Sequence, residues 1–550
     1  MPEVAFDVRW PDGKLQQCVS PSRSIEAVLA PGARYSVEEF VRRSGDALRL
    51  GSERVRQKYG FHCTAAAAEI QAIEQRAQRF SGDGAGDVVV VERVGRQAVS
   101  AARPRPVGGH HDVIVVGGGQ AGLSASWYLQ QAGLDHLVLE RSRAFSAWKD
   151  ERWDAFCLVT PNWQCQLPGG FGYDGDDPDG FMVRDEITDY LDRFRASFDP
   201  PVIEGVTVTR ISRAGAPAAG IAAVEMSDDG TVSADSSAAG PFVVETTAGT
   251  ATADQIVLAV GGYHVPAVPR IAEGLPSWVT QVHSQQYRNA DVLPDGAVLV
   301  VGSGQSGAQI AEDLHLSGRQ VHLAVGDAPR VARFHRGRDV VAWLHDMGHY
   351  DLSIDEHPEG SAARKEANHY VTGRDGGRDI DLRKFASEGM GLHGRLLSVA
   401  DGTIAFSDDL ALRLDAADAT YNRINAGIDR WIAANGVDTP PAEPYVAEWQ
   451  PEPGPSSLDL VGDEIRTVIW ATGFRPDWSW VDLPFLDATG YPAHDRGVIA
   501  AVPGLHVLGL PWLHTWGSGR FASIDRDARH LIGHVAAKSG VRGSSPQATA

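Results

Sequence analysis

The stretch HDVIVVGGGQAGLSASWYLQQAGLDHLVLER, residues 111–141, decides the fold. It opens with the apolar run Val113-Ile114-Val115-Val116, the pattern of a strand buried on both faces. Gly117, Gly119 and Gly122 follow in the spacing G-x-G-x-x-G, with Gln120 and Ala121 between the last two. Leu123 to Gln131 reads as a helix closed by Gly133, and a second apolar strand, His136 to Leu139, ends on Glu140. Each residue type has a mechanical reason. Gly117 permits the tight turn, Gly119 lets backbone approach a pyrophosphate, and Gly122 lets the helix sit close on the strand. The helix N-terminus offers unpaired N–H groups and a partial positive charge to phosphates. Glu140 is placed to accept hydrogen bonds from an adenosine ribose. Strand, turn, helix, strand and terminal acid all agree on a dinucleotide site.

The pattern occurs twice. Ala297 to Val325 reads AVLVVGSGQSGAQIAEDLHLSGRQVHLAV, with Gly302, Gly304 and Gly307 in the same spacing, Gln305 and Ser306 between the last two, and Gly318 in the place of Gly133. Laying one unit on the other puts Val325 opposite Glu140, so the second unit carries no ribose carboxylate. That absence, with Arg330, Arg333 and Arg336 close behind, favours a 2′-phosphate and hence NADP over NAD. Asp327 stands nearby and pulls the other way.

Composition narrows the class. A chain of 550 residues is long enough for two or three domains, and its formal net charge of −21 argues against a nucleic-acid partner. The acidic excess lies beyond about residue 106, since the N-terminal stretch carries slightly more basic than acidic side chains. The four cysteines, Cys18, Cys63, Cys157 and Cys165, form no C-x-x-C pair and no metal spacing with histidine; reduced thiols in a cytoplasmic protein without a metal site are expected. No signal peptide opens the chain and no apolar run approaches the roughly 18 residues of a membrane helix, so no membrane role is expected.

Residues 1–80 read as a small α+β accessory domain. Val4, Phe6, Val8 and Trp10 alternate with polar positions, Pro11-Asp12-Gly13 turns, and Leu15 to Ser20 returns as a hairpin partner. Ser36 to Glu39 fits a capping box ahead of one helix, and a second helix is predicted over about 64–80; the neighbours His62 and Cys63 form no catalytic arrangement. Residues 81–109, with SGDGAGD, a short Val-rich strand and RPRPVGG, read as a linker. Past Glu140 comes an aromatic loop with Trp148, Trp153, Phe156 and Trp163, which either cap the core or wall a planar cofactor ring. An amphipathic helix is predicted over 185–198, and strands over 206–258 are interrupted by a low-complexity excursion at about 213–240. Two strand ends in small residues, Leu258 to Gly262 and Ile469 to Pro476 (including Thr472 and Gly473), mark crossings between domains. They bracket one domain, 270–465, inserted into another built from 110–269 and 466–550. The fold class is therefore α/β, two Rossmann-like domains plus the N-terminal unit. The tail returns to the first domain, where its helix N-terminus could stabilise negative charge on a bound ring.

Two such glycine units with an Ala-Thr-Gly-type segment near the crossing resemble the class B flavin-dependent monooxygenases over roughly residues 110–550. The family's identifying sequence is kept in part: His283, Tyr287 and Arg288 are present, while Ser277 and Val279 replace its Phe and Gly. Tyr287-Arg288 resembles the N- and S-oxygenating branch. The stretches CQLPGG, HSQQYR, VVGSGQSGAQIAEDL, DIDLRKFASEGMGLHGRLL and GLPWLHTWGSG are more similar still to flavin-dependent oxidoreductases encoded in bacterial nitrilase gene clusters. VRWPDG, YSVEEFVRRS and SERVRQKYGF resemble a small nitrogen-starvation response family, so the chain looks like a fusion with a nitrogen-metabolism context.

The resemblance implies FAD on the first unit, NADPH on the second, and transfer of oxygen from dioxygen, through a peroxyflavin, to a small nitrogen or sulfur nucleophile. It implies contacts to cofactor from Trp148, Thr472 and Gly473. It places Asn162 in a loop that contacts the flavin, although an Asn after Pro is by itself a turn residue. Two alternatives stand beside it. One is an NAD(P)H-dependent flavin oxidoreductase that does not oxygenate; its disulfide-reducing form lacks a suitably spaced cysteine pair. The other is a flavin-based sensor with residues 1–80 as its protein-binding module.

Overall fold

The computed structural model describes residues 4–12, 15–20, 25, 28–30, 32–59, 70, 73, 76–80 and 88–94 of the N-terminal part, then 106–215, 240–365, 368–443 and 445–539. The chain divides into two compact units, residues 1–103 and 104–550.

The first unit is a four-stranded antiparallel sheet with one long helix. Strands β1 (Val4–Arg9) and β2 (Leu15–Ser20) form the expected hairpin, with Val4 opposite Ser20 and Arg9 opposite Leu15. β3 (Arg34–Ser36) leads directly into α1 (Val37–Tyr59), where the Glu39 N–H donates to Ser36 Oγ at 3.2 Å. β4 (Val88–Val94) lies between β1 and β3 in the sheet. Residues 88–94 are thus the interior of this domain and not linker. The short Val-rich strand read within the linker therefore belongs to the domain, as its pairing with β1 and β3 shows. Phe6, Val8, Trp10, Phe40, Val89 and Val91 form the core, with Trp10 stacked on Phe80 at 5.6 Å. The alternation read in the sequence is the inward face of β1. Most of the helix predicted over 64–80, together with His62 and Cys63, lies outside the described residues; Gln78–Phe80 is a single 3-10 turn.

The second unit carries two large sheets, the first mixed and the second parallel. The elements that build them and flank the glycine motifs are, in order, β5 (His110–Val116), α2 (Gln120–Gln131), β6 (His136–Leu139), β7 (Val202–Ile203), β8 (Val208–Arg213), β9 (Phe242–Thr246), β10 (Gly249–Leu258), β11 (Val265–Pro266), β12 (Thr280–His283), β13 (Ala297–Val301), α3 (Gln305–Leu316), β14 (Val321–Ala324), β15 (Gly391–His393), β16 (Ile465–Trp470), β17 (Phe474–Arg475), β18 (Leu505–Val507) and α4 (Ile524–Lys538). The amphipathic helix expected over 185–198 is present as Arg184–Ala196. In the first sheet the order is β8-β9-β10-β5-β6-β7, with β18 also paired to β10. β10 does two jobs: Gly249–Ala253 pairs antiparallel with β9, and Ile256–Leu258 pairs parallel with β18. The excursion expected near 213–240 falls mostly outside the described residues.

The second sheet, β12-β16-β13-β14-β15, is parallel throughout. β16 pairs with both β12 and β13, so Ile465–Trp470 belongs to this sheet, and the return to the first sheet comes after Trp470. The continuous apolar runs that signalled buried strands are entirely inside: Val113 to Val115 and Val298 to Val300 are at most 1% exposed. The two crossings meet each other. β11 and β17 pair antiparallel, Val265 opposite Arg475 and Pro266 opposite Phe474. No described helix is long and apolar enough to cross a membrane.

Candidate functional site

Two cradles lie at the C-terminal ends of β5 and β13, and they are built alike. Gly117 and Gly302 adopt φ of 110° and 104°, left-handed backbone that side chains rarely take. A Cβ on Gly117 would stand 2.4 Å from the Ala259 carbonyl oxygen, and one on Gly302 would stand 2.6 Å from that of Ala471. The third glycine of each motif is tighter: a Cβ on Gly122 would lie 1.9 Å from Gly117 O, and on Gly307 1.8 Å from Gly302 O. The middle glycines differ. A Cβ on Gly119 or Gly304 meets nothing within 4 Å, and both residues have ordinary extended backbone as the N-caps of α2 and α3. Open space before a helix N-terminus whose first N–H groups lack intrahelical partners is what a pyrophosphate requires. The residues present fit a dinucleotide at each place.

The units diverge at the ribose position. Glu140 follows β6 and is 8% exposed; its carboxylate accepts from the N–H of Gly118 at 2.7 Å and of Ser142 at 2.8 Å. Each oxygen retains a lone pair for a hydroxyl donor. Gly118 must be glycine, because a Cβ there would meet the Glu140 side chain at 2.9 Å. In the second unit Ser303 takes the place of Gly118, and its hydroxyl accepts from the Gly326 N–H at 2.9 Å. Serine thus fills the room that a carboxylate uses in the first unit. Asp327, two residues past Val325, is held by Arg395 and Arg413.

The glutamines that open each helix act as ties. Gln120 accepts from Trp148 Nε1 at 3.1 Å and donates to the Gly519 carbonyl at 2.7 Å. Gln305 donates to the Val371 carbonyl at 2.7 Å. Trp148 also stacks on Phe521, centroids 5.5 Å apart. The aromatic loop and the C-terminal segment are thereby drawn against the start of α2. Ala121 is buried beneath Gly509, and Ser306 is exposed on α3. Trp153 packs edge-on to Phe156 in the core beside Tyr287, and Trp163 lies edge-on to His345, so these two cap structure.

At the crossing, Thr472 donates its hydroxyl to the Ala267 carbonyl, and the Gly473 carbonyl accepts from the Ala267 N–H at 2.9 Å. His283 donates from Nε2 to that same carbonyl at 3.0 Å and accepts at Nδ1 from the Gln285 N–H. Burial lowers its pKa, the bond to Gly473 only partly opposing, so it stays neutral. Tyr287 is buried and donates to Asp313 at 2.7 Å, and Asp313 also accepts from Arg374 at 2.7 Å. The retained half of the family sequence therefore braces the domain crossing.

Two site expectations are corrected. Arg330 does not face a 2′-phosphate: it is 2% exposed, paired with Asp418 at 2.9 Å and Asp381 at 3.4 Å, and lies over the rings of Tyr421 and Tyr445. Burial opposes its charge, but Asp381, Tyr445 and Asp418 outweigh it and raise its pKa. Arg333 is likewise buried against Asp339, and Arg336 pairs with Asp429. Asn162, expected to contact the flavin, is 3% exposed and turned into its own loop. Its amide donates to the Asp177 carbonyl at 2.9 Å and accepts from the Met182 N–H at 2.8 Å, a staple across the loop. The tail helix α4 is also unlike the expectation, since its first turn holds its own acids, Asp525 and the buried Asp527. Burial raises the Asp527 pKa. Cys157 and Cys165 are both buried free thiols, pushed by burial up to about 11 and about 12, which ill suits them to disulfide exchange.

Comparison with known proteins agrees with this geometry. Residues 5–93 match the family described as nitrogen starvation-induced protein NitG, residues 110–148 an FAD binding domain, and residues 221–352 a pyridine nucleotide-disulphide oxidoreductase family. An uncharacterized CzcO-like oxidoreductase of Geobacillus kaustophilus is 29% identical over 428 residues, 77% of this chain and 98% of its own length. Among solved structures, a flavin-containing monooxygenase from Stenotrophomonas maltophilia aligns with TM-score 0.50 at 19% identity, covering 78% of this chain and 99% of that one. An ornithine N-hydroxylase from Kutzneria sp. 744 aligns with TM-score 0.52 at 17% identity, covering 78% and 100%. These two likenesses are of fold. The chain is an FAD-binding enzyme, a flavin-dependent oxidoreductase with CzcO-like oxidoreductases and flavin monooxygenases among its relatives, carried behind a NitG-like N-terminal domain.

Proposed function

We propose that the enzyme is an NADPH-consuming monooxygenase that oxygenates a small nitrogen- or sulfur-containing nucleophile. The observation that carries this reading is the pair of open cradles, at Gly119 and Gly304, on two domains joined at one crossing. FAD, when bound, supplies the hydride acceptor and the centre that activates dioxygen, and NADPH supplies the hydride. The chain's own residues bind and position. The N-termini of α2 and α3 hold pyrophosphates, Glu140 takes a ribose, and the Trp148–Phe521 stack keeps water from one side of the cleft. No proton-transferring side chain need be invoked for hydride transfer, which depends on alignment. The preference for NADPH is supported by Ser303, whose hydroxyl fills the room that the carboxylate uses in the first unit, and by Arg395 and Arg413, which engage the nearby carboxylate of Asp327 and so oppose its use as a ribose acceptor. We assign residues 110–269 with 471–550 to the FAD domain and 270–470 to the NADP domain. The NitG-like unit supports a nitrogen-metabolism context, with the whole N-terminal domain, its strand Val88–Val94 included, as a partner-binding module.

The test is NADPH consumption by the FAD-loaded protein with amines, nitriles and thioethers, recording product mass and hydrogen peroxide together. Oxygenated product is expected with at least one class. Consumption that ends wholly in peroxide across the panel would leave the non-oxygenating oxidoreductase as the function.

A further inference from the structure

Two half-buried arginines beside the first cradle lack what the buried arginines have. Arg330, Arg333 and Arg383 each lie against aspartates. Arg152 donates only to the backbone carbonyl of Glu151, at 3.2 Å, and its guanidinium rests over Trp148 and Phe156, 5.1 Å and 5.5 Å from the ring centroids. Arg520 donates to the Trp516 carbonyl and to Asn368 Oδ1 at 2.7 Å, and lies 3.7 Å over the Trp516 ring. Neither has a carboxylate in salt-bridge range among the described residues. Both are partly buried, and that burial lowers the pKa of each; the Tyr263 hydroxyl opposes it at both, Glu151 at Arg152 and Tyr350 at Arg520.

Their placement is shared. Arg152 follows Trp148 by one turn of chain, and Arg520 sits between Gly519 and Phe521. Gln120 ties Trp148 to Gly519, and Trp148 stacks on Phe521. The two guanidiniums therefore hang from segments fastened together at the start of α2, each laid on indole or phenyl rings. A partly desolvated cation without a counter-charge is stabilised by an anion that arrives to share the site. The pyrophosphates already have their cradles at the helix N-termini. An aromatic-walled place with planar donors suits an organic body that ends in a carboxylate, which guanidinium groups grip two bonds at a time.

We infer that Arg152 and Arg520 bind the carboxylate of an anionic organic substrate, so that the nucleophile to be oxygenated carries an acid group. The inference rests on the proposed oxygenation for its purpose, but binding is measurable without turnover. Near-isosteric probes serve: 3-(methylthio)propanoate against 3-(methylthio)propan-1-ol, titrated into the FAD-loaded protein in the absence of NADPH. Tryptophan fluorescence is read, since Trp148 and Trp516 lie under the two guanidiniums. The carboxylate should give a saturable change with at least about ten-fold tighter binding than the alcohol. Arg152→Gln and Arg520→Gln should each erase that difference while keeping FAD content at the wild-type ratio. Equal binding of both probes, or no saturable response to the carboxylate, overturns the inference. So does loss of FAD from a folded Arg152→Gln or Arg520→Gln protein, which would make these side chains cofactor ligands. Should the enzyme prove not to oxygenate, the preference for the acid would persist, and the two failures remain distinct.

Discussion

Gly119 and Gly122 stand three residues apart in one motif, yet their replacement should fail in opposite ways. Gly119 has φ −81° and ψ −173°, backbone open to any residue, and a Cβ there meets nothing within 4 Å. Gly119→Val should fold with a stability within about 0.5 kcal/mol of the wild-type apoprotein, as surface substitutions do. It should lose FAD, because the side chain fills the pyrophosphate's space. Gly122→Ala places a methyl 1.9 Å from the Gly117 carbonyl oxygen, where real contacts do not fall below about 3 Å. Helix α2 must then move off β5 by about 1 Å at the most densely packed point of the domain. Overpacking of that kind costs about 1–3 kcal/mol. The assay is twofold: bound flavin per protein from the absorbance spectrum, and urea unfolding of the apo forms. Gly119→Val should have no flavin and a normal midpoint, and Gly122→Ala a lowered midpoint whatever its flavin. A folded Gly119→Val protein with full FAD, or a Gly122→Ala protein as stable as wild type, would refute the assignment of roles to these glycines.

Gly304→Val is expected to keep FAD yet resist reduction by NADPH, while dithionite still bleaches the flavin; stopped-flow absorbance checks it. Arg330→Met leaves Asp381 without its cation, while Asp418 keeps Arg383 Nε at 2.9 Å, so a loss of about 3 kcal/mol in urea unfolding is expected with NADPH affinity unchanged in whatever remains folded. Arg413→Met, by contrast, should narrow the preference for NADPH over NADH measured as a ratio of Kd values. His506 links β18 to β10 by donating from Nε2 to Gln255 Oε1 at 3.1 Å, and burial, with His534 and Lys538 adding, lowers its pKa from 6.5 to about 3. Between those values the unfolded chain binds a proton that the folded one declines, so stability falls as pH drops below 6.5. From pH 7 to pH 5 this histidine accounts for about 2 kcal/mol. His506→Gln should flatten, though not abolish, the fall in Tm over that range, because His369, His393 and His494 are lowered in the same sense.

What the sequence disclosed was local. The glycine cradles need residue types at fixed short spacing, so Gly117, Gly119 and Gly122 announce themselves, as do the apolar strands that flank them. The strand Val88–Val94 was legible as a Val-rich run, but its membership of the first domain was not, because its partners, β1 and β3, lie far earlier in the chain while its immediate neighbours read as linker. Arg330 misled for a similar reason. Its distance in sequence from Val325 suggested a phosphate ligand, but the aspartates that bury it come from 381 and 418. Asn162 followed a proline, and the turn reading that this alone supports is the one its two backbone bonds express. The ties made by Gln120 and Gln305 were open to notice, since the same residue begins both helices, yet their acceptors at Gly519 and Val371 are set only by the fold.

The doubled crossing has a mechanical consequence. A single tether lets two bodies swivel freely, and two separate tethers still permit some torsion. Here β11 and β17 are bonded to each other, and Thr472, Gly473 and His283 fasten the ribbon on the side of the second sheet. Torsion would shear those bonds, whereas bending out of the ribbon's plane leaves them intact. At the crossing itself, bending is therefore the softer motion and torsion the stiffer one, so the ribbon resists any twist of one nucleotide-binding domain against the other.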